Sequence, residues 1–211
     1  MGIDWNIQTH DQLESTQNTC FEAARNGAQQ GTVIRAIKQV AGKGRHGRVW
    51  ETGDGNLAFS CLLKPQCEVQ NVGQLAIVVG TALADTFKGY TDAQVNLKWP
   101  NDVFIDGKKC AGILIESELS AKQDLEFAVI GVGVNIAVAP EYAHALSDYC
   151  NQPIDIEAFL AQVLENIEAR YTVWEEGGFE KIRSAWNALS LQEIDENGHL
   201  IEGDVRHAAG H

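Results

Sequence analysis

Between two strand-like segments, Thr32–Gln39 and Leu57–Leu63, the chain carries Gly42-Lys43-Gly44-Arg45-His46-Gly47, a cationic glycine turn that opens into no helix. The letters satisfy GxGxxG. A dinucleotide-binding loop, however, runs directly into a helix and is followed about 20 residues on by an acidic residue that ends the next strand. Here Val49-Trp50-Glu51-Thr52-Gly53-Asp54-Gly55 follows, which cannot be a helix. A kinase reading fails too, because Lys38 precedes the glycines instead of following them and neither HRD nor DFG occurs. What remains is three glycines where backbone can approach a ligand, with Lys43, Arg45 and Arg48 inside six residues. That chemistry suits a phosphate under a closable loop, with a solvated basic turn as the plain alternative.

The setting sharpens the point. The 211-residue chain has a net charge of −13, yet no acidic residue falls between Glu22 and Glu51, an interval that holds Arg25, Arg35, Lys38, Lys43, Arg45 and Arg48. Such acidity argues against a general binder of nucleic acid or of anionic membranes, because phosphate backbones reward basic surfaces. At 45% hydrophobic content this length gives one domain with a sizeable core and a small appendage. The start Met1-Gly2-Ile3-Asp4-Trp5-Asn6 lacks the basic, then apolar, character of a secretory signal, and no run approaches 18 apolar residues, so a soluble, cytoplasmic protein without a membrane partner is expected. Cys20, Cys61, Cys67, Cys110 and Cys150 show neither CxxC spacing nor a nearby histidine pair and read as buried free thiols.

Ser15-Thr16 precedes Gln17-Asn18-Thr19-Cys20-Phe21-Glu22-Ala23-Ala24 as a capped helix start, with Gly27 and Gly31 ending a short helix. Residues 72–87 are too long and alanine-rich for a strand and are apolar nearly throughout, which predicts a helix buried against a sheet. A strand over 95–99, a turn at Pro100-Asn101-Asp102, a hairpin with Asp106-Gly107 at its tip continuing through Cys110 to Leu119, and a strand over 125–136 follow. From Ile154 the spacing of Ile156, Phe159, Leu160, Val163, Leu164, Ile167 and Tyr171 predicts one amphipathic helix, and a further helix is expected over 179–189 after Gly177-Gly178. The order predicts an α+β fold, a mixed β-sheet flanked by helices, instead of a regular βαβ repeat.

Two further motifs carry chemistry. In Lys98-Trp99-Pro100-Asn101-Asp102 a lysine ends an apolar strand. If it faces inward it needs an anionic partner, since burying an unpaired ammonium costs several kcal/mol; a substrate carboxylate or phosphate would serve. Asp102 could help hold a magnesium ion, or Asn101-Asp102 could be an ordinary Asx turn. In Val129-Ile130-Gly131-Val132-Gly133-Val134-Asn135-Ile136 two glycines weaken a β-branched strand. Either something flat approaches the backbone there, with the Asn135 amide able to read an adenine edge, or the glycines mark a packing bulge.

Taken in order, Ser15-Thr16-Gln17, Gln39, Gly42-Lys43-Gly44-Arg45-His46-Gly47-Arg48, Trp50, Lys98-Trp99-Pro100-Asn101-Asp102, Ala111-Gly112-Ile113-Leu114 and Gly131-Val132-Gly133-Val134-Asn135 resemble the catalytic domain of biotin–protein ligases, closely over residues 13–136 and loosely to Trp186. The resemblance implies a class II aminoacyl-tRNA synthetase/biotin ligase-like catalytic domain over residues 1–187. It also implies a shortened C-terminal β appendage over 188–211, where Ile194-Asp195-Glu196-Asn197-Gly198-His199-Leu200 resembles one hairpin of an SH3-like barrel. Biotin and ATP are the implied substrates, with Mg2+. Ser15, Thr16, Gln17 and Gln39 would hold the biotin ring, with Gly112 letting the ligand lie against the strand; Lys43, Gly44 and Arg45 would close over the adenylate; Arg48, Trp50 and Asn135 would meet the nucleotide; Lys98 and Arg45 would act catalytically, Lys98 between the biotin carboxylate and the α-phosphate. The implied partner is a biotin carboxyl carrier protein, and because sheet-edge dimers occur in the family a homodimer is compatible. A lipoate–protein ligase-like enzyme is the nearest alternative and a non-catalytic biotin-binding relic the next. The repressor form, which reads DNA through an N-terminal helix-turn-helix, is not expected, with only about a dozen residues before Leu13. His207 and His211 are expected to be solvated.

Overall fold

The structure is a computed structural model and describes residues 2–201; His207 and His211 lie outside them. Seven strands form one sheet: β1 (Asn6–Leu13), β2 (Thr32–Gln39), β3 (Leu57–Leu63), β4 (Val95–Lys98), β5 (Asp102–Ile105), β6 (Lys108–Leu119) and β7 (Leu125–Val134). Their spatial order is β1-β2-β3-β7-β6-β5-β4, parallel between β1 and β2 and antiparallel elsewhere, so the mixed α+β sheet expected from the sequence is present. The helices are α1 (Thr16–Arg25), α2 (Gln74–Lys88), α3 (Ile156–Gly177) and α4 (Phe179–Leu189).

The period-two alternation of side chains gives the sheet two unlike faces. Leu57, Phe59, Cys61 and Leu63 of β3 and Ile130, Val132 and Val134 of β7 enter the main core under α2, α3 and α4. Helix α2 is buried almost all round because it lies between the sheet and the other two helices. At Gly80 an added Cβ would stand 2.8 Å from the Trp186 ring, so α2 and α4 approach here as only glycine permits. Among the described residues, the only α-helix on the opposite face is α1, which packs Cys20 and Ala24 on Ile34, Leu62, Phe127 and Val129 at one end. Beyond α1 this face carries Ser60, Gly131, Gly133 and Gly112, and there the cavity lies.

Strand β1 is the element that pattern reading misses. NIQTHDQL is exposed along most of its length at the sheet edge, so neither face imposes an apolar alternation. The helix start at Ser15 is also corrected in detail: Ser15 holds the extended N-cap backbone, but its side chain makes no capping hydrogen bond. Asp106 and Gly107, with φ of 44° and 79°, form the expected hairpin tip. The thiols divide: Cys20, Cys61 and Cys110 are buried, whereas Cys67 and Cys150 are half-buried.

Candidate active site

A cavity of about 680 Å³ opens on the uncovered sheet face, a size that accommodates a drug-sized or nucleotide-sized ligand. It brings together all of Ser15, Thr16, Gln17, Gln39, Lys43, Gly44, Arg45, Arg48, Trp50, Lys98, Asp102, Gly112 and Asn135, residues spread over 120 positions of the chain.

One end is a buried polar network at the head of α1. The Thr16 backbone N–H donates to Gln39 Oε1 at 2.8 Å, and Gln39 Nε2 donates to Thr52 Oγ1 at 3.0 Å. The Thr16 and Ser60 hydroxyls are hydrogen-bonded at 2.9 Å, Ser60 also reaches Gln17 Oε1 at 3.0 Å, and Gln17 Nε2 donates to the Val129 carbonyl at 3.1 Å. A Cβ at Gly131 would stand 2.5 Å from Gln17 Oε1 and push the end of that side chain out of its hydrogen bonds. In the same wall Ser15, 1% exposed, keeps its hydroxyl without a partner among the described residues. A buried hydroxyl left unsatisfied carries a penalty of about 1–3 kcal/mol, so an unpaired hydroxyl in a residue of the cavity wall is available to a polar ligand atom that reaches it. Ser60 was not among the residues singled out from sequence, although a lone serine in LAFSCLL is itself a signal of a buried polar role.

The other end is cationic. The glycine turn folds back as a hairpin, with Gly44 N–H donating to the Arg48 carbonyl at 2.8 Å and Trp50 N–H to the Gly42 carbonyl at 2.9 Å. His46 and Gly47 take φ of 54° and 73° at its tip. Arg45 Nη1 donates to Asn101 Oδ1 at 3.2 Å, and Asn101 Nδ2 donates to the Ile113 carbonyl at 2.6 Å. Asn101 is therefore more than an Asx turn: it ties the turn after β4 to both the glycine loop and β6. Lys43 pairs with Glu116 across 3.7 Å, while Arg48 is exposed at the rim.

Lys98 does not face inward. Val95 and Leu97 take the core side of β4, so alternation places Lys98 on the open face, exposed at the cavity mouth with Nζ 5.4 Å from the Phe104 ring centroid. It makes no ion pair among the described residues and is free to meet an anion. Asp102 is not free: its carboxylate is paired with Lys109 at 2.8 Å, and Lys109 was not singled out from sequence. No group of three or more His, Cys, Asp or Glu that could hold a metal occurs among the described residues.

The glycines of β6 and β7 do admit a flat ring, but it is the protein's own. A Cβ at Gly133 would collide with the Trp50 indole, and one at Gly112 would come within 3.1 Å of both Trp50 and Lys109. Trp50 is thus laid against the sheet, its Nε1 buried without a partner among the described residues, and forms the floor beside Asn135, which is 4% exposed. The cavity therefore pairs a neutral hydrogen-bonding end with an aromatic floor and a rim bearing Lys43, Arg45, Arg48, Lys98 and Lys109. That arrangement suits a neutral polar ring at one end and a phosphate-bearing aromatic at the other.

Comparison with known proteins agrees with this geometry. Residues 10–135 match the biotin/lipoate A/B protein ligase family. The chain is 35% identical over 192 residues to the bifunctional ligase/repressor BirA of Bacillus subtilis, covering 86% of this chain but only 58% of that protein. It is 33% identical over 194 residues to a biotin–[acetyl-CoA-carboxylase] ligase of Paracoccus denitrificans, covering 85% and 80% of the two chains. Among solved structures, the biotin protein ligase of Aquifex aeolicus in complex with biotin and ATP superposes with a TM-score of 0.77 at 30% identity, covering 89% of this chain and 79% of that one.

Proposed function

The chain belongs to the biotin/lipoate A/B protein ligase family, and from that premise we propose that it adenylates biotin with Mg-ATP and passes the biotinyl group to a lysine of a biotin carboxyl carrier protein in the cytoplasm. The observation that carries the choice of a ligand with a neutral polar ring is the unpartnered Ser15 hydroxyl beside the Thr16–Gln39–Ser60–Gln17 network. A ureido ring offers donors and acceptors to such an end.

The biotin carboxylate oxygen attacks the α-phosphorus of ATP, the α–β bridging P–O bond breaks, and pyrophosphate leaves with its electron pair. Negative charge accumulates at phosphorus. Lys98 at the mouth, with no anionic partner among the described residues, neutralises it together with Arg45, which Asn101 holds in place before substrate arrives. Lys43, Gly44 and Arg45 would close over the mixed anhydride and keep water from it until the acceptor amine attacks the biotinyl carbonyl and AMP departs. Arg48, Trp50 and Asn135 would hold the nucleotide, and Gly112 would let the ligand lie against the strand. Magnesium enters with ATP as substrate: one carboxylate, Asp102, already paired with Lys109, does not make a resident metal site, and Asp102 would add at most one oxygen to the ion's shell. The turn over residues 194–200, whose Gly198 carbonyl accepts from Trp99 Nε1 at 3.0 Å, would begin the C-terminal β appendage and brace the turn after Lys98.

The test is Lys98→Ala. Losing two charge-assisted contacts of roughly 1.5–3 kcal/mol each slows biotin-dependent ATP–pyrophosphate exchange about 10²–10⁴-fold. Exchange within a few-fold of the parent protein would remove Lys98 from the mechanism.

A further inference from the structure

Lys109 stands where simple strand alternation would not put it. Along β6, Ala111 and Ile113 enter the main core, so period two would send Lys109 into that core as well. The register instead jumps from Val103↔Ala111 to Phe104↔Lys109, leaving Cys110 as an extra residue, and Cys110 and Ala111 are both fully buried in the core. This bulge rotates Lys109 onto the opposite face, the one that carries Gly112 and the cavity. Bulges beside functional sites commonly re-aim a side chain in this way.

There the ammonium does two things at once. It pairs with Asp102 at 2.8 Å, and it lies 5.4 Å from the Trp50 ring centroid, over the indole that covers Gly112 and Gly133. An ammonium in that position neutralises the Asp102 carboxylate, which lies in the cavity wall with Glu51 while Glu116 is paired with Lys43, and holds the aromatic floor through its ring electrons. We infer that Lys109 is a positioning residue for the nucleotide half of the site, setting the Trp50 indole and masking the Asp102 charge so that a polyphosphate is accepted there. The inference rests on the proposed function only in taking ATP as the occupant of the cationic half. Without the ammonium, Asp102 meets the incoming phosphates as a bare like charge and the indole loses its anchor, whereas the Ser15–Gln39 end is unaffected.

The experiment compares the parent protein with Lys109→Met, which keeps the stem and removes the charge, and Lys109→Arg, which restores the charge. KM for ATP and for biotin are measured by pyrophosphate exchange, and ATP is titrated separately against intrinsic tryptophan fluorescence. The expected result is a rise of about tenfold in the ATP KM of Lys109→Met, a biotin KM within about twofold, and recovery in Lys109→Arg. Should the Met variant fail to fold, Lys109→Gln gives the same readout. Equal changes in both KM values, an unchanged ATP KM, or a folded Arg variant as impaired as Met would overturn the inference and leave the proposed function standing. A parent protein that binds ATP, with binding weakened by Lys109→Met, but exchanges no pyrophosphate with biotin would retain the inference and remove the function. A parent protein showing no response to ATP would overturn both.

Discussion

Replacing Ser15 by alanine should have opposite effects on the empty and the occupied protein. Ser15 is 1% exposed and lines the cavity, its hydroxyl has no hydrogen-bond partner among the described residues, and although Ser15 occupies the N-cap position of α1 its side chain does not cap the helix. The usual loss of about 1 kcal/mol on removing a capping side chain therefore does not apply. An unsatisfied buried hydroxyl is penalised by about 1–3 kcal/mol, so its removal is neutral or stabilising by about 1 kcal/mol, a melting temperature raised by about 2–4 °C at this chain length. With biotin present, the ligand loses one hydrogen bond and keeps a polar atom unpaired in a dry wall. At about 1–3 kcal/mol this weakens binding roughly 5- to 150-fold. Differential scanning calorimetry of the ligand-free variant and isothermal titration with biotin measure the two effects. A melting temperature several degrees lower with biotin affinity unchanged would refute the reasoning and make Ser15 a structural residue.

Other outcomes follow from the same geometry. Arg45→Gly, which severs the contact to Asn101, should still make adenylate but release it, so that bystander lysines become biotinylated in the absence of an acceptor; labelling equal to the parent protein by mass spectrometry would exclude loop retention. Gly133→Val would displace the Trp50 indole and, at the 1–3 kcal/mol of a crowded site, raise the ATP KM about 5- to 150-fold while sparing biotin binding; a parental ATP KM would show that the indole is not the nucleotide floor. Burial pushes the Cys20 thiol up to about 12 and those of Cys61 and Cys110 higher still, so all three stay protonated at neutral pH; their thiol form is favoured by folding, and that contribution is present below pH 9 and lost as the pH rises above it. Alkylation at pH 7.5 should label the half-buried Cys67 and Cys150 first, and early peptide-mapped labelling of Cys61 would contradict the packing.

How much of this was legible in the sequence depends on which force wrote each residue. Helices α3 and α4 follow from apolar periodicity, because each buries one face against the core, whereas Leu57–Leu63 and α2, covered on both sides, follow from near-continuous apolar runs, and Thr32–Gln39 from its β-branched residues. Strand β1 buries almost nothing and leaves no such trace. The site motifs were visible as violations of packing logic: cations gathered in an acidic chain, a lysine closing an apolar strand, glycines weakening a β-branched strand. Their partners were not. That Gly133 makes room for Trp50, and Gly131 for Gln17, depends on strands brought together by the sheet order. Lys109 was hidden for a different reason, since a one-residue bulge reversed the face that alternation assigns to it.

The most direct measurement of the central claim is ATP–pyrophosphate exchange by the purified chain with biotin, lipoate or no acid added. The account predicts exchange that depends on biotin, with kcat/KM for biotin at least about 100-fold above that for lipoate, since lipoate lacks the ureido groups that the Ser15–Gln39 end would pair. Exchange driven by lipoate as well as by biotin, or no acid-dependent exchange at all, would contradict it.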